Sequence, residues 1–459
     1  MGSLRDAGPI GGSLLVALPA AGGLLVVGTW WYAGGGGQVV GFGPAALGLS
    51  LGRLAGLLAG YLLIMQLVLA SRLPAVERRV GLDCLLRWHQ RNGALLVTLV
   101  GLHVTLVVAS TQQLARLSSP WQALRFVMET RPGVALAVAG GSIFAVIAAS
   151  SLRRVRNRLP YEAWHAAHLV AYVAVALTVP HQVRAGSTLA AVPGARAVWV
   201  GAYVGAACAL VGFRWVRPAI RAFRHRARVV SVDRETADVA SLLLRVRRPD
   251  GLNASAGQFF IWRAVTGRQW WRPHPFSLSA APSGDSLRIT LQTVGAGTAR
   301  LVHDLRPGTT VLGEGPYGGF TADRCRGEGV VLLGAGVGVT PLRALAETVD
   351  DRAGVVVLHR VSRPDQVLFD AELRDLVARR AMSVRLLVGP RRRADSWLPE
   401  LDDVPPGLDD RQVLRILVPD VAARDVFVCG PPAWTDLVRR SLAEAGVPRR
   451  LVHVERFGW

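Results

Sequence analysis

Four histidines occupy apolar stretches at spacings that suit metal ligation. His89 and His103 lie fourteen residues apart in RWHQRNGALLVTLVGLH, and His168 and His181 lie thirteen apart in HLVAYVAVALTVPH. Along an α-helix, fourteen steps of about 100° return to within roughly 40° of the start. His89 and His103 therefore share a face, about 21 Å apart along the axis, close to the hydrocarbon depth of a bilayer. Thirteen ideal steps leave His181 about 140° away from the face of His168, and Pro180 supplies a reason for the helix to bend there. A lone imidazole in an apolar helix ordinarily bonds a nearby carbonyl, yet ionisable groups within a membrane are costly and mark functional sites. Four at matched depths point to ligation, with His165 an alternative to His168 on a similar face. Two metal centres stacked across the membrane would result. Imidazoles from two facing helices suit a six-coordinate haem better than zinc, which takes four ligands and usually carboxylate or thiolate company. Arg53 then has two readings, a haem propionate partner or an arginine snorkelling to the interface.

Further along, four glycine-containing or strand motifs carry nucleotide chemistry. In HPFSLS (274–279), strand alternation turns His274 and Phe276 one way and Ser277 the other, an aromatic wall beside a hydroxyl that suits a flat heteroaromatic edge. In VGAGTARLVHDL, Thr298 is placed to cap a short helix behind glycines, where free amides bind phosphate. GAGVGVTP (334–341) lies between a strand and a helix, so that Gly334, Gly336 and Gly338 let backbone approach phosphate ahead of Thr340 and Pro341. The next strand ends at His359 and Arg360, with Arg363 nearby and no acidic residue for a ribose hydroxyl. That favours a 2′-phosphate, hence NADPH, with NADH possible. CGPP (Cys429, Gly430, Pro431, Pro432) closes a later strand, and Cys429 reads either as part of a nicotinamide-placing loop or as a small packed residue.

The elements that must hold these residues are of two kinds. The chain is 459 residues long, 51% hydrophobic, with a mean hydropathy of +0.32, too long and too apolar for one soluble domain. Six apolar runs, 13–30, 46–70, 92–110, 133–150, 163–180 and 196–216, predict six transmembrane helices, the first having a signal peptide as its alternative. Arg72, Arg78, Arg79 and Arg87 in one loop and Arg153, Arg154, Arg156 and Arg158 in another outnumber the arginines of the remaining loops, so both termini are expected in the cytoplasm of a multi-pass cell-membrane protein. A net charge of +21 comes without zinc-finger spacing or an aromatic-interleaved basic motif, so nucleic acid is not expected. Cys84, Cys208, Cys325 and Cys429 are too dispersed for an iron–sulfur cluster. After a basic run at 214–228, alternating strands predict an antiparallel barrel, and from 329 a strand, loop and helix order predicts an α/β parallel-sheet domain. The expected fold is a multidomain membrane protein: a six-helix bundle over 1–220, an antiparallel β-barrel FAD domain over 221–322, and an NAD(P)-binding α/β domain over 323–459.

Paired histidines in helices three and five, with RWHQRNG and YEAWHAAH around them, resemble the ferric reductase and NADPH oxidase superfamily, its bacterial members in particular. HPFS, GEGPYGGF and CGPP resemble its ferredoxin-reductase-like module. The resemblance implies haem ligation by His89, His103, His168 and His181. It also implies flavin contacts from Phe276 and Ser277 with Pro275 between His274 and Phe276, and pyrophosphate held by Gly295, Ala296, Gly297 and Thr298. Ser277 and Cys429 would line the hydride-transfer position, and a terminal aromatic, Trp459 or Phe457, would cover the flavin. The implied activity is an oxidoreductase passing electrons from NADPH through FAD and two b-type haems to a small acceptor outside, with ferric iron or oxygen favoured over quinone. A membrane-tethered flavin reductase without haem, or a haem-binding sensor without turnover, are the alternatives.

Overall fold

In the computed structural model the described residues are 9–37, 43–80, 82–156, 158–159, 161–266, 273–293, 298, 301–302, 304–350 and 354–457. The chain divides into two compact units, Met1–Val216 and Arg217–Trp459.

The first unit is helical. Its main elements are α1 (Pro9–Trp30), α2 (Pro44–Ala70), α3 (Leu82–Leu114), α4 (Val134–Ser151), α5 (Tyr161–Leu169), α6 (Ala171–Arg184) and α7 (Ala195–Ala209). Among the described residues, five helical stretches are long and apolar enough to cross a membrane: Pro44–Ala70, Cys84–Leu114, Val134–Ser151, Ala163–Arg184 and Ala195–Arg224. The first apolar run forms α1, which is not one of these five. Leucine and alanine dominate α2, and a proline opens it, so propensity and cap agree. A glycine at every fourth position lets α3 approach closely. A methyl group at Gly48 would sit 2.5 Å from Ser110 Oγ, one at Gly52 3.1 Å from Leu106 Cβ, and one at Gly56 2.7 Å from His103 Nδ1.

The expected 163–180 helix is interrupted at Val170, well before Pro180, and α6 runs through that proline to Arg184. At the interruption the Val170 amide bonds the Ala167 carbonyl three residues back, a tightened turn that ends α5 between His168 and His181. The helix is therefore not unwound at Pro180, and the interruption lies at Val170.

The second unit opens with α8 (Arg217–Arg224) and holds two sheets. One is antiparallel, in the order β4-β3-β6-β1-β2-β5, from β1 (Ala227–Arg234), β2 (Val239–Val246), β3 (Phe259–Ala264), β4 (His274–Ser277), β5 (Ser286–Gln292) and β6 (Thr310–Tyr317). Register shifts at Val229/Ser231 and Phe259/Ile261 bend it, and a bridge between Leu278 and Ile289 links its two edges. Leu242, Leu244, Phe260, Trp262 and Leu291 fill its interior. Gly313 accommodates Trp262, whose ring would lie 2.7 Å from any added methyl.

The other sheet is parallel, β11-β10-β7-β8-β9, from β7 (Val330–Ala335), β8 (Val355–Val361), β9 (Met382–Val388), β10 (Asp425–Gly430) and β11 (Val452–Arg456). With them go α9 (Val339–Ala346), α10 (Asp370–Arg379), α11 (Asp410–Leu417) and α12 (Pro432–Glu444). Alternate residues of β7 serve opposite faces: Leu332 packs with Leu342, Leu345 and Phe427, whereas Val331 and Leu333 pack with Trp397 and Trp434. Both faces are thus covered, which explains why the strands read as unbroken apolar runs. The strand order reverses between β7 and β10. In such sheets ligands bind beyond the carboxyl ends of the strands at that reversal.

Candidate functional site

In the membrane unit, α3 carries His89 and His103 on one unbroken helix. The His89 ring lies 6.0 Å from the His168 ring, centre to centre, with their planes 60° apart. Two metal–imidazole bonds of about 2 Å, plus the reach from each nitrogen to its ring centre, come to about the same distance. Among the described residues no three His, Cys, Asp or Glu side chains gather around one point, so the pair fits an ion whose other ligands come from a macrocycle. Trp164 stacks on His168 at 5.2 Å and 25°, and the Arg156 guanidinium lies 4.6 Å over the Trp164 ring. Gln66 of α2 donates to the His89 carbonyl at 3.1 Å, and Asn92 donates to Gln66 Oε1 and to the Leu62 carbonyl.

The other two imidazoles are oriented by carbonyls. His103 Nδ1 is 2.7 Å from the Gly52 carbonyl and His181 Nδ1 is 2.5 Å from that of Thr178. A carbonyl can only accept, so in each ring Nδ1 carries the proton and Nε2 keeps its lone pair, the arrangement a ligating histidine needs. Gly56, with no side chain, leaves the space the His103 ring fills. Arg53 is half-buried beside Gly52 and has no acidic partner among the described residues.

In the antiparallel sheet, His274 and Phe276 lie on one face of β4, their rings 6.0 Å apart and parallel within 1°. Pro275 pairs with Ile261 and Ser277 with Phe259 across to β3, and Ser277 is buried. Thr298 occupies a helical position and is half-buried. Gly295, Ala296, Gly297 and Trp459 lie outside the described residues. Tyr317, at the end of β6, sits 5.8 Å from Phe259 and donates to Glu314, which also pairs with Arg263 at 3.1 Å.

In the parallel sheet, the chain leaves β7 through a tight turn over Gly336–Gly338 and enters α9. Gly336 has a φ of +54°, which glycine adopts freely. A methyl group at Gly338 would lie 2.3 Å from the Cys429 carbonyl, and one at Gly430 3.0 Å from Ala335 Cβ. The glycine loop and CGPP are thus pressed together at the strand reversal, with Gly334 under Leu342 and Val339. Thr340 turns its hydroxyl back to the Val337 carbonyl at 2.8 Å, and Pro341 is buried beside it. Pro431 caps α12 and Pro432 begins it. The Phe457 amide donates to the Gly430 carbonyl at 3.1 Å, bringing Phe457 to the same place.

Cys429, Arg360 and His359 all lie inside the fold. Cys429 is wholly buried, and burial, with the Glu455 charge adding, raises its thiol well above the usual range. Its carbonyl lies against the glycine loop, and its side chain belongs to the core cluster that holds Leu332 and Phe427. Arg360 points into the fold, donating to the Trp397 carbonyl at 3.2 Å and to the Val361 and Leu387 carbonyls. Because β8 is covered on both faces, a residue near its end is still inside. Arg363 alone of the two is exposed, and it pairs with Asp365 at 3.0 Å. His359 is buried, and burial lowers it to about 4; its Nε2 lies 3.2 Å from the Gly336 carbonyl, so the ring holds the glycine loop from beneath.

Residues 55–179 match the family described as the ferric reductase like transmembrane component, and residues 225–321 match an FAD-binding domain. The glycine betaine monooxygenase reductase subunit of Pseudomonas aeruginosa is 27% identical over 243 residues, which is 51% of this chain and 64% of that protein. The NADPH oxidoreductase of Mycobacterium tuberculosis is 30% identical over 240 residues, 50% of this chain and 60% of that protein. The chain therefore spans less than two thirds of these curated relatives. Among solved structures, the FAD/NAD-binding domain of a Vibrio cholerae nitric oxide dioxygenase is 25% identical, with a TM-score of 0.41, covering 51% of this chain and 99% of that one.

Fold and site together define a multi-pass membrane protein whose helical unit is joined to an FAD-binding antiparallel sheet and an NAD-binding-type parallel sheet. A ferric reductase like transmembrane component over residues 55–179 and an FAD-binding domain over residues 225–321 thus stand in one chain.

Proposed function

We propose that this protein is a transmembrane oxidoreductase that carries electrons from cytoplasmic NADPH, through FAD and two b-type haems, to an acceptor on the far side, ferric iron or oxygen. The observation that carries this reading is the set of four imidazoles, two facing at 6.0 Å and two oriented by carbonyls, in a chain that also has an FAD-binding domain. In it, α1 is the sixth crossing, both termini are cytoplasmic, and the domains span 1–220, 221–322 and 323–459.

The cofactors supply the conversion of a two-electron donor into one-electron steps. The chain supplies placement. His89 with His168 would hold the inner haem and His103 with His181 the outer one, and Gly56 gives the His103 ring its space. Arg53 suits a propionate. Phe276 and Ser277 would hold the flavin ring, His274 and Pro275 its edge, and the 295–298 amides its pyrophosphate. The Gly334–Gly338 loop and Cys429–Pro432 would receive the nicotinamide nucleotide by backbone contacts. The relative from M. tuberculosis is named an NADPH oxidoreductase, which supports NADPH, with Arg363 the exposed cation at the end of β8; NADH fits the same loop.

Proteoliposomes carrying the FAD-supplied protein test this. NADPH added on the side of the soluble unit should reduce an enclosed, membrane-impermeant ferric chelate. Chelate left oxidised while NADPH is consumed would mean that electrons do not cross.

A further inference from the structure

Four charged side chains form a closed lattice between the two sheets of the second unit, in places that neither sheet's own stability explains. Arg288 of β5 meets Glu372 of α10 with two parallel bonds of 2.8 Å. Arg343 of α9 reaches the same carboxylate at 2.7 Å and Glu347 at 2.7 Å. Glu347 also accepts from the Ala281 amide at 2.5 Å. Both arginines converge on one carbonyl, that of Ser279, at 2.9 Å from Arg288 and 3.2 Å from Arg343. Arg288 Nε and Thr290 further bond Ser279 Oγ. Arg343 is 9% and Arg288 18% exposed, against 24% for Glu347 and 33% for Glu372, so the guanidiniums are enclosed while water reaches one side of the carboxylates. Two positive and two negative charges balance it.

The position of the lattice in the chain gives it a role. Ser279 lies two residues beyond Ser277, on the segment that leaves the flavin strand, and Arg343 lies three residues beyond Thr340, on the helix that opens at the glycine loop. Each half of the nucleotide chemistry is thus a few bonds from the same four charges. Enclosed ion pairs add little net stability, because desolvation offsets their attraction, yet they fix geometry strictly. Hydride transfer depends on that geometry, since donor and acceptor must lie about 3–3.5 Å apart.

We infer that Arg288, Arg343, Glu347 and Glu372 are positioning residues for hydride transfer, fixing the flavin strand against the nicotinamide-binding loop. None touches the reacting atoms. The inference rests on the proposed NADPH-to-FAD reaction, and the experiment separates failure of the one from failure of the other.

Anaerobic stopped-flow reduction of the FAD-loaded full chain by NADPH is followed in wild type, Glu372→Gln, Glu372→Asp and Arg288→Met/Glu372→Gln. Glu372→Gln should lower the limiting rate of flavin bleaching about tenfold, while half-saturation by NADPH shifts by less than about twofold. Glu372→Asp, which keeps the charge, should recover most of that loss. The double variant should be no slower than the Gln variant by more than about twofold, because both changes open one lattice. FAD content should match wild type throughout. A limiting rate unchanged in Glu372→Gln overturns the inference. So does loss of FAD, or rate and half-saturation worsening together, which would mean that the lattice only holds the fold. Wild type that is not bleached by NADPH would overturn the proposed function instead.

Discussion

The two units solve the problem of enclosed polar groups in opposite ways. Between helices of the first unit, neutral donors reach backbone carbonyls and side-chain amide oxygens: His103 to Gly52, Tyr203 to Gly60 and Gln182, Asn92 to Leu62 and Gln66, and Trp30 to Ser50. In the second unit, enclosed charges gather into networks, such as the Arg288–Glu372–Arg343–Glu347 lattice and the group around Asp425. A helix backbone already bonds itself, so between helices in lipid one or two neutral bonds satisfy each side chain without a charge to desolvate. Two sheets that must be held at a defined distance need directional contacts that reach further, and arginine with carboxylate provides them.

The sharpest break of this comparison lies in the membrane unit. His103→Leu should remove the outer haem altogether, seen as a fall in haem per chain, while flavin reduction by NADPH continues at the wild-type rate. Retention of full haem content would remove His103 from the ligand set.

The second unit should be the more sensitive to loss of one charge. Asp425 is wholly buried, accepts from the Arg326 and Gly327 amides at 2.5 Å each and bonds His453 Nε2 at 2.8 Å. Asp425→Ala leaves these donors without their acceptor and should cost about 3–5 kcal/mol, read as a lower denaturant midpoint for the far-ultraviolet signal of the sheets. A change under about 1 kcal/mol would show that water replaces the carboxylate.

Acid should find the same unit through His359. Its value is depressed by burial to about 4, against about 6.5 when unfolded. The unfolded chain therefore takes up a proton that the folded chain refuses, and stability falls as pH drops from about 6.5 towards 4, by on the order of 3 kcal/mol. His359→Gln should flatten that part of the stability-against-pH curve. An unchanged slope would assign the acid sensitivity to other groups.

The smallest effect concerns coenzyme choice. Arg363→Ala should raise half-saturation by NADPH about fivefold, the size of one exposed ionic contact, and leave NADH unchanged. Arg360→Ala should lower stability and leave the NADPH-to-NADH ratio as it was, since its donors serve three carbonyls. Equal losses for both nucleotides in Arg363→Ala would undo the 2′-phosphate role.

What could be read from sequence followed the regularity of each element. His89 and His103 share one helix because a fourteen-residue spacing in an unbroken apolar run leaves a single geometry open. His274 and Phe276 share a face because strand alternation is rigid. The glycines of α2 at 48, 52, 56 and 60, which the reading of the histidines did not use, were the signal that could have shown close helix approach and the support for His103. The interruption at Val170 had no marker comparable to proline, so it could not be foreseen. Arg360 misled because its position near a strand end suggested exposure, whereas a strand covered on both faces stays closed almost to its end. Nothing in the sequence announced the lattice: Arg343 and Glu347 are one helical turn apart, but Arg288 and Glu372 lie far from them in the chain and join them only once both sheets have formed.

The most direct test of the account is an anaerobic difference spectrum of the purified, FAD-supplemented protein before and after NADPH, over the flavin and haem bands. The account predicts that the flavin bleaches and reduced haem bands follow. Flavin bleaching in a protein that contains haem but keeps it oxidised would contradict electron passage between the units, and a protein purified without haem would leave a membrane-anchored flavin reductase in its place.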